Sequence, residues 1–480
     1  MSLVKHAIRG AGWAIAGGYA SQFVSFAMFL ITSRLVGPSA FGTVAIAIGL
    51  VELCRSLIVE NVAANLIANS AADTRDFNAG FAWTMTGSVV VCIALVFAAP
   101  TIAPLFHTPA LVTVLPQIAL LLVCYGVSRL QEARMIKEMR FRMLALRTVI
   151  AALLGGGVGV LAARAGLGVT ALVYQQWAGA VVSVVLLWGA SDWRPQFRFS
   201  FSQFTALHRA SLMLAPANLI YGLSVLADGL AVAIVAGPGA AGIYNLGKRV
   251  QVAMLVALSG ALDRVSLATF SKLQKNQARL VAVFEQALAI SMLAVFPLFF
   301  GVAAVAPELI DVVLGPAWLA AATPMALLLI GGAFAVATSY CDNVLLVLEQ
   351  RRWIVALHVV FIFVLIGGLL LFGRFGPTFV AATSLAASII RSLAAAFALG
   401  RAAPFSVGAY LRTIAAPTVL SLAMLMLIAG LRLAPDLATL TPLQRLLILV
   451  ATGALFYSAS ALLLARRRVS AAFRAARAAL

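Results

Sequence analysis

Eight ionisable side chains interrupt long apolar runs in this chain: Glu52, Arg55, Glu60, Asp228, Lys248, Arg249, Asp342 and Arg391. Charges in such runs are expensive and usually face a partner or a polar cavity. Glu52 and Arg55 lie three apart, on one helix face, where they can pair. Arg55, Lys248 and Arg249 are the cations deepest in their runs. Gathered in one cleft, they would make a cationic interior. That suits an anion, phosphate in particular, because Arg grips phosphate bidentately and Lys meets it as a point charge. The architectural alternative pairs these cations with Glu52, Glu60 or Asp228 and fixes helix packing. The two readings are compatible. For Asp342 and Arg391, near the ends of their runs, snorkelling or an interfacial pair is the expectation.

No catalytic constellation accompanies these charges. His6, His107, His208 and His358 are scattered, without metal-ligand spacing. Cys54, Cys92, Cys124 and Cys341 lie in or beside apolar runs and form no CxxC pair, so they read as small buried hydrophobes. There is no Walker A or GxSxG sequence. The cluster Gly155–Gly159 sits in an apolar run, where close helix packing explains it. No catalytic residue, metal site or cofactor is expected.

The elements that hold the charges follow from composition. Of 480 residues, 63% are hydrophobic and 10% charged, with mean hydropathy +1.06. Soluble proteins carry about 25% charged residues, so this chain cannot clothe a water-facing surface. A spanning helix takes about 20 apolar residues, and the apolar runs number fourteen. The expected fold is an all-α membrane protein of about fourteen transmembrane helices. The runs are too long and too uniformly apolar for a β-barrel. The net charge of +19 does not point to nucleic acid, because the cations sit between spans and not on a solvated face.

Lys and Arg alternate from loop to loop, which orients the chain. One set of loops carries Arg75, then Arg129, Arg134, Lys137, Arg140, Arg142 and Arg147, and later Arg351 and Arg352. The opposite loops carry Arg34, Arg164, Arg374, Arg432 and Arg445. Both termini are therefore expected in the cytoplasm. The expected layout is spans one to six over 1–190, a cytoplasmic linker over 191–209, spans seven to twelve over 210–400, spans thirteen and fourteen over 401–465, and a basic tail over 466–480. In the linker, Trp193, Phe197, Phe199, Phe201 and Phe204 alternate with polar residues, and the expectation is a segment along the membrane interface with its aromatics inward.

The first six spans repeat. Gly37, Pro38, Ala40 and Gly42 recur as Gly237, Pro238, Ala240 and Gly242, an offset of 200. Pro109 aligns with Pro316, Glu138 with Glu349, and Gly166 with Gly376, so the offset drifts only to about 211. Six spans per repeat make two parallel six-helix lobes plus two C-terminal helices. Substrate sites in such proteins lie between the repeats. The Gly-Pro pair predicts a tight reversal, since Gly permits positive φ and Pro cannot donate a helix bond.

Arg34-LVGPSAFG resembles the R-x-L-G-P-x-x-F-G stretch of bacterial polysaccharide flippases, and Gly242-IYNLGKRV resembles their G-x-Y-x-x-x-x-R stretch. The family is the Wzx-like, polysaccharide transporter branch of the multidrug, oligosaccharidyl-lipid and polysaccharide exporter superfamily. The resemblance implies a flippase, not an enzyme. It would move an undecaprenyl-pyrophosphate-linked oligosaccharide across the inner membrane by alternating access, for exopolysaccharide, capsule or O-antigen synthesis. It implies headgroup contacts at Arg55, Lys248, Arg249 and Arg34, with Glu52, Glu60 and Asp228 as charge partners or as carriers of a coupled proton or sodium ion. Partners would be lipid, a polysaccharide polymerase and glycosyltransferases. A lipid II flippase is the near alternative, and a cation-coupled drug or metabolite antiporter is the next. A membrane polymerase or ligase would need a large charged outer loop, which this chain lacks.

Overall fold

The computed structural model describes residues 3–69, 71–196 and 201–464. Phe197 and Phe199, and the basic tail 466–480, lie outside the described residues, as do the side chains of Phe201 and Phe204. Every regular element described is helical. In chain order the rods are α1 (Leu3–Val36), α2 (Pro38–Ala68), α3 (Thr74–Leu105), α4 (Leu111–Lys137), α5 (Phe141–Arg164) and α6 (Val169–Ala190). Then follow α7 and α8, the arms 201–236 and 238–272 of one 72-residue helix broken at Gly237. The remainder are α9 (Gln277–Ala304), α10 (Pro316–Val347), α11 (Arg351–Phe372), α12 (Pro377–Ala402), α13 (Val407–Arg432) and α14 (Pro442–Leu464).

Thirteen segments among the described residues are long and apolar enough to cross a membrane. One of them, Asp228–Leu258, runs through the Gly237 break. Taking the two arms separately gives fourteen rods, the number expected. Burial is inverted relative to a soluble protein. Phe23, Phe97 and Leu370 point outward at 75%, 79% and 78% exposure, while Gln131, Asn61 and Asp228 are buried. Large apolar side chains on the outer surface need a lipid solvent, which offers no hydrogen bonds. The backbone is therefore satisfied within helices.

Contacts divide the chain into two units, Met1–Gly242 and Ile243–Leu480. In the first, α5 packs on α6 and α1, and α3 packs on α4. Gly155 meets the α6 backbone at Gln175 and Gly179, and Gly156 meets Met28 of α1. The glycine cluster is thus a close-packing surface. In the second unit, α10 packs on α12 and α9, and α9 packs on α13.

The repeat is written in the backbone. Gly37 and Gly237 take φ of 84° and 78°, each followed by a proline that opens the next helix. Gly166 and Gly376 take φ of 79° and 101°. After α4, Met139 has positive φ and the Arg140 N–H reaches the Met135 carbonyl at 2.9 Å. After α10, Glu349 has positive φ and the Gln350 N–H reaches the Leu345 carbonyl at 2.8 Å. The turns therefore superimpose Met139 on Glu349, an offset of 210, and shift the sequence alignment of Glu138 with Glu349 by one residue.

The two Gly-Pro motifs also meet. A Cβ on Gly42 would lie 1.8 Å from the Pro238 carbonyl oxygen, and one on Gly242 would lie 2.0 Å from the Pro38 carbonyl oxygen. Each glycine admits the first turn of the other helix. The approach is reciprocal, backbone against backbone, at equivalent positions of the repeat.

Candidate functional site

The deepest set of charges in the first unit forms one ladder. Arg55 pairs with Glu52 at 2.8 Å and also with Glu60. Glu60 in turn accepts from Arg129, whose Nε and Nη2 lie 3.1 and 3.0 Å from Oε2. Arg129 faces Glu132 at 3.6 Å, and Glu132 accepts from Arg147 at 3.2 Å. The Arg147 guanidinium also donates to the Ser183 hydroxyl of α6 at 3.4 Å. The Arg55 guanidinium stacks 5.3 Å from the Tyr125 ring centre. Three arginines and three glutamates alternate across α2, α4 and α5, and their formal charges cancel.

Local backbone explains the order of the ladder. In an α-helix only residues three or four apart share a face. Arg55 and Glu60 are five apart. Residues Ser56–Glu60 form a π turn, which carries i→i+5 hydrogen bonding and returns Glu60 to the face of Arg55. Glu60 thereby sits between Arg55 on its own helix and Arg129 on α4.

The ladder is only partly dry. Its side chains retain between 12% and 31% exposure. Two buried guanidinium nitrogens, Arg129 Nη1 and Arg147 Nε, have no hydrogen-bond acceptor. Buried donors of this kind are exceptional and call for an explanation.

Arg129 and Arg147 correct the sequence reading, which placed both in a cytoplasmic loop. Helix α4 continues to Lys137 and α5 begins at Phe141, so the loop is reduced to Glu138–Arg140. The missed signal was spacing: Arg129 and Glu132 stand three apart, like Glu52 and Arg55. Of the other expected site residues, Arg34 is exposed in the last turn of α1, at the tip of the α1–α2 hairpin. Arg55 lies roughly 25 Å further along α2 at 1.5 Å per residue, so the structure does not bring Arg34 to the ladder. Asp228 is buried in the first unit, where its Oδ1 accepts from the Gly229 N–H at 2.8 Å. Lys248 and Arg249 are half-buried in the second unit.

The second unit holds its own charge pairs. Arg391 of α12 donates to Asp342 of α10 at 2.8 Å. Arg432, at the end of α13, grips both oxygens of Glu308 at 2.7 and 2.9 Å and also donates to the Ala304 carbonyl.

Beyond α6 the chain is tied back to the first unit. Trp193 is buried against Phe77 and Phe81, with ring centres 5.9 and 6.3 Å away. Its indole N–H donates to Asn78 Oδ1 at 3.3 Å, and its carbonyl accepts from Gln131 at 3.2 Å. The Gln196 N–H uses the same Asn78 oxygen. The expectation had the linker's aromatics turned inward along the membrane interface, and the structure packs Trp193 into the protein interior. An indole N–H has no acceptor in hydrocarbon, whereas Asn78 supplies one.

Among the described residues, no group of three His, Cys, Asp or Glu side chains is placed to hold a metal ion. The fold and its interior charges define a multi-pass helical membrane protein. Residues 31–323 match the family described as "Polysaccharide biosynthesis protein". The chain belongs to that family, the Wzx-like branch that its Gly-Pro motifs resemble. It is 22% identical over 315 residues to the succinoglycan biosynthesis transport protein ExoT of Rhizobium meliloti, covering 65% of this chain and 64% of that protein. The match thus spans less than two-thirds of that relative. It is 22% identical over 461 residues to the teichuronic acid biosynthesis protein TuaB of Bacillus subtilis, covering 95% of both. In fold it matches the lipid II flippase MurJ in an inward closed conformation, with TM-score 0.77 at 14% identity over 95% of this chain and 99% of that one.

Proposed function

We propose that this protein carries a lipid-linked oligosaccharide, joined to undecaprenol through a diphosphate, across the bacterial inner membrane by alternating access. The observation that carries the reading is the ladder of three arginines and three glutamates among the helices of a polysaccharide-biosynthesis protein. Interior guanidiniums fit a diphosphate headgroup, while the polyprenyl tail stays in lipid. In the first unit the headgroup contact is Arg55, and in the second unit, taken by itself, Lys248 and Arg249 are the candidate contacts, while Arg34 stands apart at the hairpin tip. Glu52 and Glu60 are the charge partners of Arg55, Asp228 is a further buried carboxylate of the same unit, and one of the three carries a coupled proton or sodium ion. The termini lie in the cytoplasm, beside the glycosyltransferases that build the cargo, and a polymerase receives it on the far side.

The test uses purified protein in liposomes and a labelled lipid-linked oligosaccharide, read as label reaching the opposite leaflet. Lipid II serves as the competing cargo. Wild-type protein should move the oligosaccharide, while Arg55→Ala and Arg249→Ala should reach the membrane and fail to move it. Wild-type transport by both variants would sink the reading.

A further inference from the structure

We propose that Glu60 and Glu132 are internal counter-anions, holding on Arg55, Arg129 and Arg147 the positions that the two phosphoryl groups of the cargo take when it binds. The inference rests on the function proposed above and extends it to residues outside the expected contacts. Along the ladder the order is Arg55, Glu60, Arg129, Glu132, Arg147. Each of these two carboxylates bridges two guanidiniums. A diphosphate is likewise two anionic centres in series, and each centre suits a pair of guanidinium forks. The exchange balances charge, because a diphosphate diester carries the same charge as two carboxylates.

The spare donors fit the same exchange. Arg147 Nε has no hydrogen-bond acceptor, and Arg129 Nη1 faces Glu132 only at 3.6 Å, beyond hydrogen-bond reach. A diphosphate adds bridging and ester oxygens to its non-bridging ones, so it offers acceptors that two carboxylates lack. The arginines stand on three helices, and neighbours hold two of them in place. Tyr125 lies under Arg55, Glu52 lies beside it, and Ser183 accepts from Arg147. The exposure left to the ladder gives a headgroup a way in and the displaced carboxylates water to face.

An internal competitor has a function. Three uncompensated guanidiniums inside the helices would be costly when no cargo is bound, and they would hold a diphosphate too tightly to release it. Glu60 and Glu132 relieve both problems. They satisfy the arginines between cargoes and displace the headgroup at the end of the crossing.

The experiment uses the full chain in nanodiscs and titrates inorganic pyrophosphate and farnesyl diphosphate in separate arms, with orthophosphate as control. Glu60→Gln and Glu132→Gln should each bind both diphosphates about tenfold more tightly than wild type, since each removes one competing charge. Transport of the labelled oligosaccharide should slow in the same variants. Arg129→Gln should lose binding, and Glu60→Asp should keep wild-type affinity. A purely architectural role for the carboxylates predicts lower melting temperatures and no gain in affinity. If wild type binds farnesyl diphosphate and moves cargo while the glutamine variants bind no tighter, the exchange is refuted and the flippase reading stands. Tighter binding of inorganic pyrophosphate alone refutes the assignment to a lipid headgroup. If wild type neither binds a lipid diphosphate nor moves the oligosaccharide, both fall together.

Discussion

Gly42→Ala should destabilise the first unit, although alanine is the better helix former. The added Cβ would fall 1.8 Å from the Pro238 carbonyl oxygen and 2.8 Å from the Gly242 nitrogen. Real Cβ contacts essentially never fall below 3.0 Å, so the helices must part by at least 3.0 − 1.8 = 1.2 Å. Both obstructing atoms are backbone, and no side chain can swing aside. Overpacking of this kind costs about 1–3 kcal/mol. For a unit of this size each kcal/mol shifts the melting temperature by about 2–4 °C, so the expected fall is about 2–12 °C. Gly242→Ala meets Pro38 at 2.0 Å and should behave alike. The double variant should cost less than the sum, because either substitution already opens the same contact. Gly18→Ala is the control. Its Cβ meets nothing within 4 Å, so the helix preference for alanine, up to about 1 kcal/mol, acts alone. Thermal unfolding in nanodiscs, followed by tryptophan fluorescence, reads all four. A Gly42→Ala protein that melts at or above wild type would refute the argument.

Further outcomes can be checked on the same preparations. Arg391→Ala removes the ion pair with Asp342 between α10 and α12 and should lower the melting temperature, at a cost of up to about 3 kcal/mol. Adding Asp342→Ala should recover part of that loss, and no recovery in the melting temperature would count against the pair. Trp193→Ala empties the space beside Phe77 and Phe81 and should cost about 3–5 kcal/mol. It should also expose the 191–196 segment to protease, which wild-type resistance in the variant would contradict. Arg432→Lys keeps the charge but loses the two-pronged grip on Glu308. It should melt measurably below wild type, and an unchanged midpoint would show that the fork is not needed.

Much of the fold was legible because hydrophobic length is a long-range average. The Gly37 and Gly237 reversals were legible for a different reason, since positive φ followed by proline leaves a local mark. The Glu52–Arg55 pair was visible as a three-residue spacing. The rest of the ladder was not. Nothing in Ser56–Glu60 announces a π turn, and without it Glu60 falls on another face. Arg129 and Arg147 were read as loop residues because hydropathy stops where charge begins, whereas α4 continues past Arg129 on the strength of its ion pairs. Trp193 was hidden because its acceptor, Asn78, lies 115 residues away in the chain. Gly42 and Gly242 were matched as repeat positions, but only coordinates show that they face each other's backbone.

The ladder also bears on how the chain is made. Helix α2 leaves the ribosome with Glu52, Arg55 and Glu60 near its middle, and charges there oppose entry from the translocon into lipid by about 2.5–3.5 kcal/mol each. Every partner that neutralises them is encoded before residue 148. From Glu60 to Arg129 is 129 − 60 = 69 residues, or roughly 3–14 s of synthesis at about 5–20 residues per second. Helix α2 must therefore wait beside the insertion machinery, or cross as a pair with α4, until Arg129 arrives. A nascent chain arrested before α4 is complete would leave α2 extractable from the membrane, and one arrested after α5 would hold it fast.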